Sequence, residues 1–362
     1  VFFAIIPSHA VLSVTSAQDA LFAALFAMCL IQLYKISMNS QKYFASKRNL
    51  ISLLFDLIFL CMIRNNGLYA VVILGLFSII IEKKFRLYFV SIIGTVIIFM
   101  IIYQGPIYDL FGVQKGTAIR EMLSMPLQQM AYIYNREPNK LSDDDMKEML
   151  KFISDEGWRS YEECISDHVK SQLNAEYTHD HFGDFVKLYI KVGTKSPGGY
   201  FKAASLQTFG LWYPNKIYPD GRTWHPYLNY VCYDTKGVYG SDFTISRNSM
   251  LPMYEKYLAW FFGQGDDFSG YGGNLSMVFS KIPIISLFIK SGIYFWTIIY
   301  VIGYCVYKKL RMPFLVMGLV IGLIVTVVLS PVILYRYMAP VIFSFPIYLA
   351  VLFTKWDSEK AK

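Results

Sequence analysis

Four charged residues lie inside or at the ends of hydrophobic stretches, and chemistry would be placed there first: Asp19, Asp56, Arg64 and Arg336. Charge in or beside lipid is costly, so each needs a partner or a task. Arg64 and Arg336 carry planar guanidiniums, which grip a phosphate with two parallel hydrogen bonds, and Asp19 supplies a carboxylate. Two guanidiniums and a carboxylate at one water–lipid boundary would suit a lipid bearing a phosphate or pyrophosphate. The structural alternative is a long side chain snorkelling to water, or Asp19 bridged to an arginine. Arg336 leans towards function, because Ser330-Pro331 and Pro340 flank it, and proline-bent backbone at membrane depth is tolerated where it lines a cavity. Asp56 lies deep in its stretch and either pairs with a neighbour or lines a polar path.

Weaker signals lie outside the hydrophobic stretches. His179-Asp180-His181 offers two imidazoles one residue apart, which is more often a polar loop than a metal site. Asp266-Asp267, in a glycine-rich stretch, offers carboxylates for a metal or for acid–base work, with a solvated loop as the favoured alternative. Glu121, Gln128 and Gln129 stand around Pro126 on a polar-faced helix and would line a cleft at the membrane surface. Asp143, Asp144 and Asp145 are explained by helix capping. A Ser-His-Asp pattern, a P-loop and a dinucleotide fingerprint are all missing, so soluble-enzyme chemistry has no support.

The elements that must position these residues are read from hydropathy. The 362 residues are 55% hydrophobic and 17% charged, against a charged share near ~25% in ordinary soluble proteins. Mean hydropathy is +0.38. The excess of apolar surface needs lipid, and the 28 Tyr and 28 Phe suit membrane–water interfaces. The expected class is therefore an all-α integral membrane protein. Apolar stretches at 19–34, 50–63, 67–82, 87–103, 284–306, 313–330 and 337–354 predict about seven transmembrane helices, with residues 1–6 as the tail of a partial one. The chain opens inside that apolar run, so we read it as a fragment whose missing part holds some of the active site.

Charge sets the expected topology. The net charge of +8 needs no nucleic-acid partner, because residues 104–281 hold 18 Lys+Arg and 21 Asp+Glu and the basic excess falls in the short loops. Alternate loops are basic, around Lys35–Arg48, Lys83–Arg86 and Lys308–Arg311, as is the tail from Lys355; the positive-inside rule makes these cytoplasmic. Three parts follow: an N-terminal transmembrane group at 1–103, a large extracytoplasmic domain at 104–281, and a C-terminal transmembrane group with a cytoplasmic tail at 282–362.

The large domain reads as mostly helical. Ser142 caps a helix whose apolar face is Met146, Met149, Leu150 and Ile153. A second stripe, Phe182, Phe185, Leu188, Tyr189 and Val192, ends at Gly193, and Pro197 opens a third helix. Residues 213–248 read as loop and 250–262 as a further helix. Cys164 and Cys232 leave one disulfide open in this domain.

Several short motifs resemble a family. Pro7, Ser13–Ser16 and Asp19-Ala-Leu-Phe, with Ser330-Pro331 followed by Tyr335-Arg336-Tyr337 and Pro340, are similar to stretches of the C-type membrane glycosyltransferases, which use polyprenyl-phosphate-linked sugar donors. Arg64-Asn65-Asn66-Gly67-Leu68-Tyr69 and Glu121 through Gln129 more closely resemble an uncharacterised family of bacterial multispanning membrane proteins associated with that superfamily. The resemblance implies an inverting transferase in the plasma membrane, working at its outer face on a polyprenyl-phosphate-linked sugar. It further implies that Arg336, with Tyr337, holds the lipid phosphate and that Asp19 stands near the phosphate or a divalent metal, Mg or Mn. The catalytic carboxylate of such enzymes lies in a first external loop that matches nothing in this chain, so no catalytic residue is assigned. Asp19 also lacks the basic residue expected before it. The alternatives are a non-catalytic envelope scaffold and a transporter or flippase for a lipid-linked substrate, for which Asp56 is the single deep polar residue.

Overall fold

The computed structural model describes residues 18–113, 118–213, 290–333 and 335–356, with short pieces at 235–236, 244–245, 250–253, 256 and 285–288. The described elements are helices, apart from one two-residue antiparallel pair, Thr235–Lys236 with Thr244–Ile245, and a single bridge between Glu162 and Ile165. The all-α expectation holds. The chain divides into two compact units, one of residues 35–212 and 311–333, the other of residues 1–34, 213–310 and 334–362.

In the first unit, apolar helices Lys47–Ile63, Asn65–Ile81, Arg86–Ile102 and Phe314–Val328 pack together. Small residues set the closest pairing. A Cβ on Gly322 would lie 2.8 Å from the Cα and carbonyl oxygen of Ala70, so helices Asn65–Ile81 and Phe314–Val328 meet backbone to backbone. Asn66 Nδ2 donates to Thr326 Oγ1 at 3.1 Å, and Gly318 faces Phe77, so the two helices run antiparallel. The Arg64-Asn65-Asn66-Gly67 turn is as tight as it reads: a Cβ on Gly67 would stand 2.5 Å from the Leu60 carbonyl oxygen.

The same unit contains the helical domain, built around helix Ser124–Arg136. Helices Asp155–Arg159, Asp167–Ser171, Phe182–Lys195 and Pro197–Gln207 contact it, and the core joins Leu127, Met130, Ile133, Phe152, Trp158 and Phe185. Local expectations are met by local chemistry. Ser142 and Asp145 form a reciprocal capping box at the start of helix Asp143–Phe152, and Pro197 occupies the first turn of its helix. Helix Phe182–Lys195 runs two residues beyond the predicted stop at Gly193, which is not a cap; its missing side chain admits the Tyr200 ring, 2.7 Å from where a Cβ would be. Phe182, expected on the buried stripe, is exposed, and so are Val186 and Ile190.

In the second unit, helix Ser291–Tyr307 packs on helices Tyr335–Phe343 and Phe345–Phe353. Tyr294 is fully buried and meets Phe345 edge to face at 5.4 Å.

The count of seven spans needs correction. Each predicted stretch overlaps an apolar helix, but among the described residues three helices are long and apolar enough to cross a membrane: Asp19–Met38, Arg86–Leu110 and Arg336–Phe353. The others are 15 to 17 residues long. At 1.5 Å per residue they rise about 22–26 Å, short of a ~30 Å hydrocarbon core. Lys47–Ile63 also carries the buried Asp56. Helix Arg86–Ile102 continues through a π turn, Tyr103–Ile107, that accommodates Pro106. On that helix Leu87, Val90, Ile98 and Ile101 are exposed, a surface compatible with a bilayer. The N-terminal partial span, most of 213–248 and 250–262, Asp266, Asp267 and Cys232 lie outside the described residues, and the Cys164–Cys232 pairing with them.

Candidate functional site

Arg336 stands in the first turn of helix Tyr335–Phe343 and is exposed. Its guanidinium lies 5.2 Å from the centroid of the Tyr337 ring, and Nη2 is 3.5 Å from the Tyr337 hydroxyl, a weak bond at most. A cation laid on a neighbouring ring is held in orientation while the edge of the guanidinium stays open to solvent. Among the described residues no carboxylate pairs with Arg336. On the other side of the helix Met338, Ala339, Val341 and Ile342 are fully buried. Arg336 is thus an oriented, open cation at the head of a helix long enough, through Phe353, to cross a membrane.

The Ser330–Ile333 break is held by residues of its own unit. Helix Phe314–Val328 ends where the single Ser330 hydroxyl proton is shared between the Val327 carbonyl, 2.6 Å away, and the Val332 carbonyl, 2.9 Å away. The last carbonyls of a helix have no intrahelical partner. Here the helical domain supplies partners for the carbonyls just beyond. Gln207 Nε2 donates to the Ser330 carbonyl at 2.7 Å, and the Ser166 N–H and Oγ both donate to the Pro331 carbonyl, at 2.9 and 3.2 Å. Neither Ser166 nor Gln207 stands out in the sequence; each is one polar residue at the end of a short helical pattern.

The remaining candidates divide. Asp19 is 3% exposed at the first position of helix Asp19–Met38, where the helix dipole favours a carboxylate. It shares a unit with Arg336, whereas Arg64 belongs to the other. Arg64 is the half-buried, extended residue linking helices Lys47–Ile63 and Asn65–Ile81. Beside it, Asn65 Oδ1 accepts from Gln104 in the π turn at 3.2 Å. Among the described residues no three His, Cys, Asp or Glu side chains gather as a metal site. His179 and His181 do not converge: His179 meets Asp180, and His181 stacks on Tyr177 at 4.1 Å.

Glu121 and Gln128 do not line a cleft together. Gln128 is fully buried and donates to the Glu162 carbonyl, because its position on helix Ser124–Arg136 faces the domain core. Glu121 is exposed, and both its oxygens accept from Lys170 Nζ at 2.7 Å. Burial opposes the Lys170 charge, but hydrogen bonds to Asp167 and Glu121 outweigh it and hold its pKa above the ordinary lysine value. Gln129 bridges two tyrosines, donating to the Tyr200 carbonyl and accepting from the Tyr189 hydroxyl.

Asp145 is the most perturbed carboxylate among the described residues. It is fully buried, yet accepts from the Ser142 N–H at 2.8 Å and from Lys195, and pairs ionically with Lys191 at 3.0 Å. Burial pushes its carboxyl up; those donors overcome the push and hold it well below the usual carboxylate range. Its surroundings are a structural ion-pair network, and capping alone does not account for it.

Comparison with known proteins adds one match. A family model described as Family of unknown function (DUF6020) covers residues 1–362. No curated protein and no solved structure matches the chain.

Proposed function

We propose, for a chain that belongs to the DUF6020 family of unknown function, that it is a membrane protein binding a lipid-linked phosphate through Arg336, and that it transfers the sugar carried by that lipid. The observation behind the reading is the state of Arg336: exposed, oriented on Tyr337 and without a carboxylate partner among the described residues. An arginine that only closed a structural bridge would have its acid. A guanidinium held in this way offers two parallel donors to a phosphate and stabilises the negative charge that grows on it as a sugar leaves. The acceptor hydroxyl must lose a proton to a general base, a role this chain's described residues leave unassigned.

In this reading the three helices long and apolar enough to cross a membrane lie in the bilayer. The helical domain stands at the outer face of a bacterial plasma membrane and the C-terminus is cytoplasmic, as the basic loops require. Arg64 is a second contact for the anionic head group. No step is routed through a metal.

The test is binding of a polyprenyl phosphate to the purified full chain in detergent, with the uncharged polyprenol as control. Arg336→Ala should reduce affinity at least tenfold, and Arg336→Lys should recover part of it, because a point charge cannot make the two-pronged contact. Equal binding by wild type and Arg336→Ala would remove the reading. The scaffold alternative would then rest on the exposed apolar row Phe182, Val186 and Ile190.

A further inference from the structure

Three stretches far apart in sequence bring their cations to one end of the first unit. Lys42, Lys47 and Arg48 lie in and after the short helix Ser40–Phe44, Lys83, Lys84 and Arg86 fill the turn into helix Arg86–Ile102, and Arg311 precedes helix Phe314–Val328. Side-chain contacts tie the stretches together. Phe44 stacks on Phe85 and on Tyr88, each at 5.0 Å, and meets Phe89 edge to face at 5.5 Å. The Ser40 hydroxyl donates to Glu82 Oε2 at 2.9 Å, and Lys84 Nζ lies 3.4 Å from Gln41 Oε1. Ser37 Oγ donates to the Met312 carbonyl at 2.9 Å, which draws Arg311 to the same end.

These seven cations are exposed, and among the described residues none of them forms an ion pair. The one acid in the three stretches, Glu82, is engaged by Ser40. Helix direction sharpens the imbalance. Helices Lys47–Ile63, Arg86–Ile102 and Phe314–Val328 all begin here, and none has an acid in its first turn. Lys47, Arg48 and Arg86 occupy first turns, where the helix dipole opposes a cation and favours an anion. The positive-inside rule asks for basic loops, each acting as its own segment inserts, but it does not ask that they be assembled on a shared aromatic platform.

The neighbouring surface indicates which anion meets this face. Immediately after Arg86, Leu87 is 74% exposed, and Tyr88 and Val90 are exposed too, so the bilayer-compatible surface of helix Arg86–Ile102 starts where the cations end. An aromatic ring between a basic cluster and an apolar surface sits at head-group depth. We propose that the face formed by Lys42, Lys47, Arg48, Lys83, Lys84 and Arg86 binds the head groups of anionic lipids in the cytoplasmic leaflet. The inference uses the bilayer placement and topology given above and is independent of Arg336, which belongs to the other unit.

The experiment titrates the purified full chain in detergent with a fluorescent phosphatidylglycerol and with phosphatidylcholine of the same acyl chains. Wild type should prefer phosphatidylglycerol about tenfold or more, and added salt should erode the preference. Lys83→Gln/Lys84→Gln/Arg86→Gln should abolish most of the preference, and Lys47→Gln/Arg48→Gln, in a separate stretch, should lose part of it. Lys83→Arg/Lys84→Arg should keep it. Lys140→Gln/Lys147→Gln/Lys151→Gln, an equal loss of charge on the helical domain, should bind as wild type. Equal binding of the two lipids by wild type overturns the proposal, as does an equal loss in the helical-domain variant. Competition by glycerol phosphate as strong as by the lipid would mean a soluble-anion site and overturns it as well. Should the triple variant fail to fold, Lys47→Gln/Arg48→Gln and Lys83→Arg/Lys84→Arg decide by the same readout. Arg336→Ala should retain the phosphatidylglycerol preference, so failure of the polyprenyl phosphate reading and failure of this one are told apart.

Discussion

Asp145→Ala tests the physical account of the helical domain most sharply. The substitution removes the capping-box acceptor of the Ser142 N–H and the shared counter-ion of Lys191 and Lys195. Loss of a cap costs about 1 kcal/mol. Breaking a buried pair costs about 3–5 kcal/mol when the surviving charge stays buried. Here the lysine side chains are 47% and 33% exposed and can turn to water, so the lower figure is the ceiling. About 3 kcal/mol in all is expected, or roughly a hundredfold faster exchange of the amides in helix Asp143–Phe152. Asp145→Asn keeps an acceptor for Ser142 and should cost less. The sign of the pH dependence follows from the lowered carboxyl. As pH falls, the unfolded chain takes up the proton first, near the ordinary Asp value of about 3.9. The stabilisation is therefore present at neutral pH and is lost progressively as pH drops from about 4 towards the lower native value. Hydrogen exchange by mass spectrometry on the full chain, at pH 7 and near pH 4 with intrinsic rates corrected, reads both effects. Exchange in Asp145→Ala within twofold of wild type at pH 7 would show that the lysines and the cap contribute little and that the burial argument is wrong.

Further outcomes are expected on the same footing. Gly322→Ala forces a Cβ to 2.8 Å from the Ala70 backbone and should destabilise the Asn65–Ile81 and Phe314–Val328 pair by about 2 kcal/mol; Gly94→Ala, with open space around it, is the control, and detergent unfolding distinguishes them. Glu121→Gln removes one of two acids facing Lys170; because Glu121 is 63% exposed, the cost should stay under about 1 kcal/mol. Its polyprenyl phosphate affinity should equal wild type, whereas a residue touching substrate would show a large loss. Trp158→Phe deletes the indole bond to the Met149 carbonyl at 3.1 Å inside the core and should lower stability by about 1–3 kcal/mol, measured by thermal unfolding.

Much of the local structure was legible because it is written in local chemistry. The Ser142 cap and Pro197 start depend on residues three or fewer positions apart, and the apolar stretches betray their helices by composition alone. Helix length was less legible. Hydropathy measures how apolar a stretch is, but where its hydrogen-bonded helix begins and ends is settled by caps and neighbours, which is why the described part of stretch 284–306 holds a short helix, Ile285–Phe288, and a separate one from Ser291. Burial was legible where the periodicity was clean, at Phe185, Leu188 and Val192, and misleading at Phe182, since a stripe cannot say how wide the covering partner is.

The site shows the same division. That Arg336 is a candidate followed from sequence, because an arginine beside prolines at the head of an apolar helix is costly wherever the chain goes. That it rests on Tyr337 with no acid among the described residues, and that Ser166 and Gln207 hold the carbonyls of Pro331 and Ser330, needed three dimensions: nothing in a serine or a glutamine announces a partner 165 or 123 residues away. Glu121 and Gln128 make the point in reverse. Their polarity was visible in the sequence, but whether a polar side chain faces solvent, a ligand or a buried carbonyl depends on what packs over it, and only the tertiary structure decides that.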